Sequence, residues 1–483
     1  MIKKKIEDKK NSIFSNNINL VILLLFQIFL FLIIFGPLNF SNYDLDVFIN
    51  TSDGPSYFEF SFENIEVILS NHRTFGYPLF MKFYRIFDYD LNNWPKFNYI
   101  FYNFSILILY TSLIKTNFSK IFSFFLCSGL ILSNPLYAYV ASYTELMSIS
   151  FLLMSVSLFF YLIKFKEKKY YIMFALCIFL SYQIRPSMVV FILFPIIFSF
   201  FYKSIKTKII FLLTAGPLLL FCLLRLFVVG DFGFVSFNVG MLGSAIHYLP
   251  QSNIQNLKIE NQKTAKMLLD TKRSLSYPCN LDNEQDKKNY YNKKKSKLYG
   301  QIPCWTIYVN HGWVKIIKEE KNIEPFPDGD PKNNEPWLHM PTLATFWNQS
   351  GSMIEIDKKI RNFSFDVYMQ NKSKIFLQIF KSPFHFYKLI RDRYKNLIFF
   401  YIFLMLIFFF LRKEKNSRKI KISYEFSFFA SFLIITGLNL VLLYGHQSGD
   451  LRSVIAQSFY FVPVLMSYIG YLFINNLNIN KNY

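Results

Sequence analysis

Apolar residues in this chain gather into runs of roughly 17 to 25, and that spacing constrains the fold more than any other feature. A helix rises about 1.5 Å per residue, so about 20 residues cross a hydrocarbon core about 30 Å thick. The first run extends from about Asn19 to Phe40. Others fall near residues 97–115, 117–134, 138–163, 170–184, 186–202, 207–229, 395–412, 424–444 and 454–474. Ten spans predict an all-α polytopic membrane protein with both termini on the inner side. A length of 483 residues would by itself suggest two or three soluble domains, but a composition that is 53% hydrophobic, with 59 phenylalanines, argues against it.

The net charge of +22 is no nucleic-acid signature, because the lysines are dispersed and form no basic stripe on a soluble fold. They report orientation instead, since short inner connections collect Lys and Arg. "KTNFSK", "KFKEKKYY", "KSIKTK" and "RKEKNSRKIK" are the predicted inner connections, while the outer turns "SNPLYAYVAS" and "GHQSGD" contain neither residue. The basic start "MIKKKIEDKK" precedes a run longer than a signal-peptide core, without a small-residue cleavage site. It reads as an uncleaved first span. Between 170 and 202 the pattern is weakest, because "IRPSM" interrupts it; two short helices or one re-entrant segment would fit.

Two outer segments exceed mere connectors. The organisation expected is therefore an N-terminal transmembrane module over 1–230, with its first outer loop at 41–94. A large outer-face subdomain, mostly helical, follows over 231–394, and C-terminal membrane helices occupy 395–483. Cys127, Cys177 and Cys222 lie in apolar runs, where a thiol acts as a small hydrophobe. Cys279 and Cys304 lie in the large loop and could form a disulfide if it faces an oxidising compartment. No zinc spacing occurs. No repeat of broken helices marks two halves, which argues against a secondary transporter.

The first outer loop concentrates the chemistry. "YDLDVFINTSDGPSYFEF" places Asp44, Asp46, Asp53 and Glu59 close together, and "NHRTFGYPLFMKFY" adds His72, Arg73 and the Gly76-Tyr77-Pro78 turn. Asp53-Gly54 is a turn dipeptide that projects its carboxylate from a tight bend. From Pro55 to Leu69 the sequence predicts an interfacial amphipathic helix with Tyr57, Phe58, Ile65 and Leu69 on its apolar face. Polar and aromatic residues are also ordinary at headgroup level, so each acid has a purely interfacial reading.

The order of these elements resembles GT-C membrane glycosyltransferases. In that family's first outer loop an Asp-Gly/Ser-x-x-Tyr element precedes Arg-x-x-Gly-Tyr-Pro-Leu-Phe by about 20 residues, as Asp53 and Arg73 do here. The branch resembled is that of protein mannosyltransferases, lipid A aminoarabinose transferases and RgtA/B/C/D-like enzymes. Phe75 stands where a proline is usual. "SNPLYAYVASYTELM" resembles the second outer turn, with Glu145 as its acid. "SYQIRPSMVV" resembles the Arg-Pro element, carried by Arg185 and Pro186. "GDLRSVIAQ" resembles the element before the last helix, where only Arg452 carries over. The likeness covers residues 15–230 well, the tail loosely and the large loop barely.

The resemblance implies transfer of a sugar from a polyprenyl-phosphate donor to a glycan, lipid or protein acceptor at the outer face of the membrane, by an inverting enzyme of the bacterial inner membrane. Asp53 would be the general base. Arg73, Tyr77, Glu145, Arg185 and Arg452 would bind substrate or the donor phosphate, a role that suits the planar, permanently charged guanidinium. Glu145 has a second reading as a helix-dipole partner or a partner of Arg185. Asp44, Asp46, Tyr57, Glu59 and His72 are secondary candidates. Asp44-Leu45-Asp46 matches the cation-binding Asp-x-Asp of soluble transferases, leaving a divalent cation open, but no metal ligand set is assigned. A glycan polymerase or ligase is the alternative that also uses outer-face arginines. A flippase or transporter would need ionisable residues deep in several spans.

Overall fold

The computed structural model describes residues 2–35, 57–58, 60–71, 73–133, 144–201, 207–235, parts of 245–258, 259–274, 353–377, isolated positions between 380 and 406, 424–445 and 451–476, with side chains over a smaller set. Every regular element among them is helical. The helices are α1 (Ile2–Phe35), α2 (Ile65–Ser70), α3 (Gly76–Tyr84), α4 (Trp94–Lys115), α5 (Lys120–Ser133), α6 (Thr144–Phe165), α7 (Lys168–Ile184), α8 (Phe194–Phe201), α9 (Thr207–Val229), α10 (Ile259–Ser274), α11 (Met353–Gln370), α12 (Tyr424–Gly445) and α13 (Leu451–Asn476). Four described segments are long and apolar enough to cross a membrane: Ile18–Phe35, Trp94–Lys115, Thr144–Phe165 and Leu212–Val229. The chain is thus a helical protein with the spans of a membrane protein.

Periodicity explains who faces lipid. Along α1, Leu23, Gln27, Leu30 and Ile34 are buried, whereas Val21, Leu25, Ile28 and Leu32 are exposed. Each set follows the i, i+4, i+7, i+11 rhythm of one helical face. α6 is apolar all round and buried along nearly its whole length, as expected of a helix enclosed by others. It packs against α4 and α7, while α5 packs against α13 and α9 against α7 and α2. Burial of apolar surface from water does not drive such packing inside lipid; close backbone approach does. The α6 serines permit it. Ser148, Ser150, Ser155 and Ser157 return their hydroxyls to carbonyls one turn back, and Ser181 of α7 donates to the Ser148 carbonyl at 3.0 Å.

Two predicted features changed shape. The helix expected from Pro55 to Leu69 does not run continuously: Tyr57 and Phe58 are helical, residues 60–64 are not, and α2 restarts at Ile65. Short polar side chains account for the break. Ser61 accepts the Glu63 N–H at 3.3 Å, and Asn64 caps α2 by accepting the Val67 N–H at 2.8 Å. Such local bonds compete with helix continuation. At 170–202, α7 ends at Ile184, Arg185 is extended (φ −141°, ψ 110°), and a 3-10 run Pro186–Leu193 leads into α8. Pro186 forces this, because proline excludes its predecessor from the helical region.

The large-loop segment that is described is helical and attached to the membrane bundle. Asp366 of α11 accepts from the Lys258 N–H (2.8 Å) and the Asn261 amide (2.9 Å). Asn371 donates to Ser252 at 2.6 Å, and Lys358 to the Gly230 carbonyl at 2.8 Å.

Candidate functional site

The first loop is fastened by aromatic packing. Tyr77 is fully buried and its hydroxyl accepts a hydrogen bond from the Trp94 indole N–H at 2.8 Å. The Tyr57 ring stands edge-on to Tyr77 at 5.2 Å, and the Arg73 guanidinium lies 4.9 Å from the centre of the Tyr57 ring. Tyr57, Arg73 and Tyr77 are therefore one cluster at the start of α3. Tyr84, one further turn pair along α3, rests 5.2 Å from the Trp94 ring. Its hydroxyl titrates above the ordinary tyrosine range through burial, with the Asp88 charge adding to the effect.

Gly76 explains why this loop contains its Gly-Tyr-Pro. A Cβ on Gly76 would stand 2.7 Å from the carbonyl carbon and oxygen of Gln183 and 2.9 Å from the Ile184 nitrogen. Those are backbone atoms and cannot rotate aside. Only glycine lets α3 seat against the last turn of α7. Gly76→Ala is expected to destabilise the protein by about 1–3 kcal/mol, the usual cost of overpacking. Thermal unfolding in detergent checks this, with Gly216→Ala, which meets nothing within 4 Å, as the unaffected control.

Immediately beyond that contact sits the buried charge pair. Arg185 leaves the α7 C-terminus and its Nη1 reaches Glu145 Oε1 at 2.9 Å and Thr144 Oγ1 at 2.8 Å, both in the first turn of α6. Glu145 is 1% exposed and Arg185 8%. Burial at this level makes an ion pair costly to form and more costly to break, so its retention needs a reason. Helix connectivity puts the loop, the α6 N-terminus and the α7 C-terminus at the same end of the bundle, as the spacing predicted. The lysine-rich connections at 115–120 and 164–169 lie at the other end. There, Glu425 of α12 accepts the Ser119 N–H at 2.6 Å.

Arg225 was less legible. It lies on α9 and is fully buried, pairing with Asp231 at 3.4 Å and donating Nε to the Leu69 carbonyl of α2 at 2.9 Å. Arg361 of α11 reaches the other oxygen of Asp231 at 3.1 Å. One carboxylate thus joins the end of α9, the first loop and the large loop. The available signal was an arginine inside "LLFCLLRLFVV", since ionisable residues in spans are costly and rarely incidental.

Other predicted residues are placed in part or not at all. Asp44, Asp46, Asp53, Glu59, His72, Cys279 and Cys304 lie outside the described residues. Arg452 is the second residue of α13, with its side chain likewise outside them. Cys127, Cys177 and Cys222 are unpaired and buried, as small hydrophobes would be. Among the described residues no three His, Cys, Asp or Glu side chains gather as a metal site. Compared with family models, curated proteins and solved structures, the chain matches none.

Proposed function

We propose that this chain is a GT-C-type membrane glycosyltransferase with ten spans and both termini on the inner side of the bacterial plasma membrane. It moves a sugar from a polyprenyl-phosphate donor to a hydroxyl of a glycan, lipid or protein at the outer face. The observation that carries this reading is convergence. Arg73 and Tyr77 from the first loop, Glu145 opening α6 and Arg185 closing α7 belong to three separated stretches of the family pattern, and Gly76 and the Glu145–Arg185 pair tie those stretches together at one end of the bundle.

In this reading Asp53 takes the proton of the acceptor hydroxyl, and the acceptor oxygen attacks the anomeric carbon from the face opposite the phosphate. The bond from that carbon to the phosphate oxygen breaks, and polyprenyl phosphate departs with the electron pair. Arg185 meets the growing negative charge on the leaving phosphate. Glu145 and Thr144 hold its Nη1 in place beforehand, so little reorganisation is needed during the reaction.

The full chain in proteoliposomes, given a panel of polyprenyl-phosphate sugars and acceptor lipids or glycans, is expected to release polyprenyl phosphate from one donor. Consumption of none of them, with acceptor present and the protein folded, sinks the transferase reading.

A further inference from the structure

The first loop holds a cleft of about 210 Å³ that glycosyl transfer, as drawn above, does not use. One wall is the aromatic segment containing Phe58 and Phe62; the other is the α3 face of Met81, Lys82 and Arg85. The Arg85 guanidinium carbon lies 3.9 Å from the Phe58 ring centre, and Lys82 Nζ lies 5.0 Å from that of Phe62. Among the described residues neither cation has an ion-pair partner, and Arg85 Nε is buried with no hydrogen-bond partner. The nearby Asp88 carboxylate is turned into its own loop, where it accepts the Asn93 N–H at 2.7 Å. Aromatic faces hold the two cations in place but do not neutralise them. The site therefore calls for an anion.

The surface beside it is apolar. Leu79, Phe83 and Ile86 form a stripe at i, i+4 and i+7, and they are exposed by 43%, 61% and 73%. Phe87 and Tyr89, just beyond the end of α3, are still more exposed. At about 100° per residue, Lys82 falls between this stripe and the cleft-facing Pro78 and Arg85. An anion entering the cleft thus meets two cations at a rim that continues into a lipid-suited surface. Basic and aromatic residues placed this way belong at the headgroup level of a bilayer.

We infer that the cleft binds the phosphodiester of an anionic bilayer phospholipid in the outer leaflet, with the Leu79–Phe83–Ile86 stripe among its acyl chains. The ligand is amphiphilic because the site is: a soluble anion would satisfy Lys82 and Arg85 but leave the stripe in water. The lipid would fix α3, and with it the Gly76 contact to α7, at a defined depth. This assignment needs the protein to sit in a membrane but does not depend on sugar transfer.

Phosphatidylglycerol titrated onto the purified full chain, with bound lipid counted by native mass spectrometry, tests it. The double variant K82Q/R85Q is expected to bind phosphatidylglycerol about 30-fold more weakly, roughly fivefold per cation. Phosphatidylcholine should bind the wild type more weakly than phosphatidylglycerol does. Unchanged phosphatidylglycerol affinity in the folded double variant would overturn the proposal, and so would equal affinity for phosphatidylcholine. Displacement by inorganic phosphate at equal concentration would overturn it in favour of a soluble anion, and displacement by polyprenyl phosphate in favour of the donor. Should K82Q/R85Q not fold, Lys82→Glu at an exposed position gives the same reading: a loss of at least fivefold supports the site, and no loss removes it.

Discussion

Asp53→Asn is expected to lower turnover by about 10²–10⁴-fold, the usual worth of a positioned general base, while leaving thermal unfolding and donor binding unchanged. Asparagine keeps the size of the side chain and suits the turn that the Asp53-Gly54 sequence predicts, but it cannot accept the proton of an acceptor hydroxyl. The base must also stay ionised near neutral pH. Activity should therefore fall on acidification in the wild type. In the variant the small residual rate should lack that acid limb. The measurement is release of polyprenyl phosphate against pH by the full chain in proteoliposomes. Full activity in Asp53→Asn would remove Asp53 from the base role and leave the other acids of the loop, Asp44, Asp46 and Glu59, to be tried in the same way. Asp44→Asn and Asp46→Asn serve as the internal comparison: loss of activity restored by added divalent cation would assign them the cation role that their spacing suggests.

How much of this could be read from the chain depends on the range of the interactions. α6 and α7 fall at 144–165 and 168–184 against expectations of 138–163 and 170–184, because lipid-length apolar periodicity is written locally. The interruption at Arg185-Pro186 was visible for the same reason, since a proline acts on its immediate neighbour. Gly76 was recognisable as part of a pattern, yet its cause was not: the backbone of Gln183 that demands a glycine lies more than a hundred residues away. The break before α2 went unseen because Ser61 and Asn64 look like ordinary polar positions on an amphipathic helix. Only their hydrogen bonds turn them into a stop and a cap. Arg225 is the clearest case of hidden information. Its acceptor, the Leu69 carbonyl, is 156 residues distant and its partner's partner, Arg361, belongs to a loop where no motif was recognised. The pairing of Glu145 with Arg185 was one of three readings available from the sequence, beside a helix-dipole cap and a contact with substrate. The pair is present, at 2.9 Å and with both side chains buried.

The second large effect concerns that pair, and it separates holding a fold from holding a phosphate. Glu145→Gln and Arg185→Gln should each destabilise the protein by about 3–5 kcal/mol, because each leaves an opposite charge buried without its ion-pair partner. The double variant Glu145→Gln/Arg185→Gln should recover much of that stability, since two neutral amides can bond to each other and neither charge is left without the other. A coupling energy well above the roughly 0.5 kcal/mol seen for independent sites is the expected result of the cycle, read by thermal unfolding in detergent. Turnover should behave differently. If Arg185 meets the departing phosphate, stability returns in the double variant but activity does not. Arg185→Lys sharpens the distinction. It keeps the charge beside Glu145, so stability should fall little, yet it loses the planar fork that binds two phosphate oxygens, and turnover should drop about 10²-fold. Wild-type turnover in a stable Arg185→Lys variant would return the pair to a structural clasp between α6 and α7, leaving Arg73 and Arg452 as the remaining arginines for the phosphate.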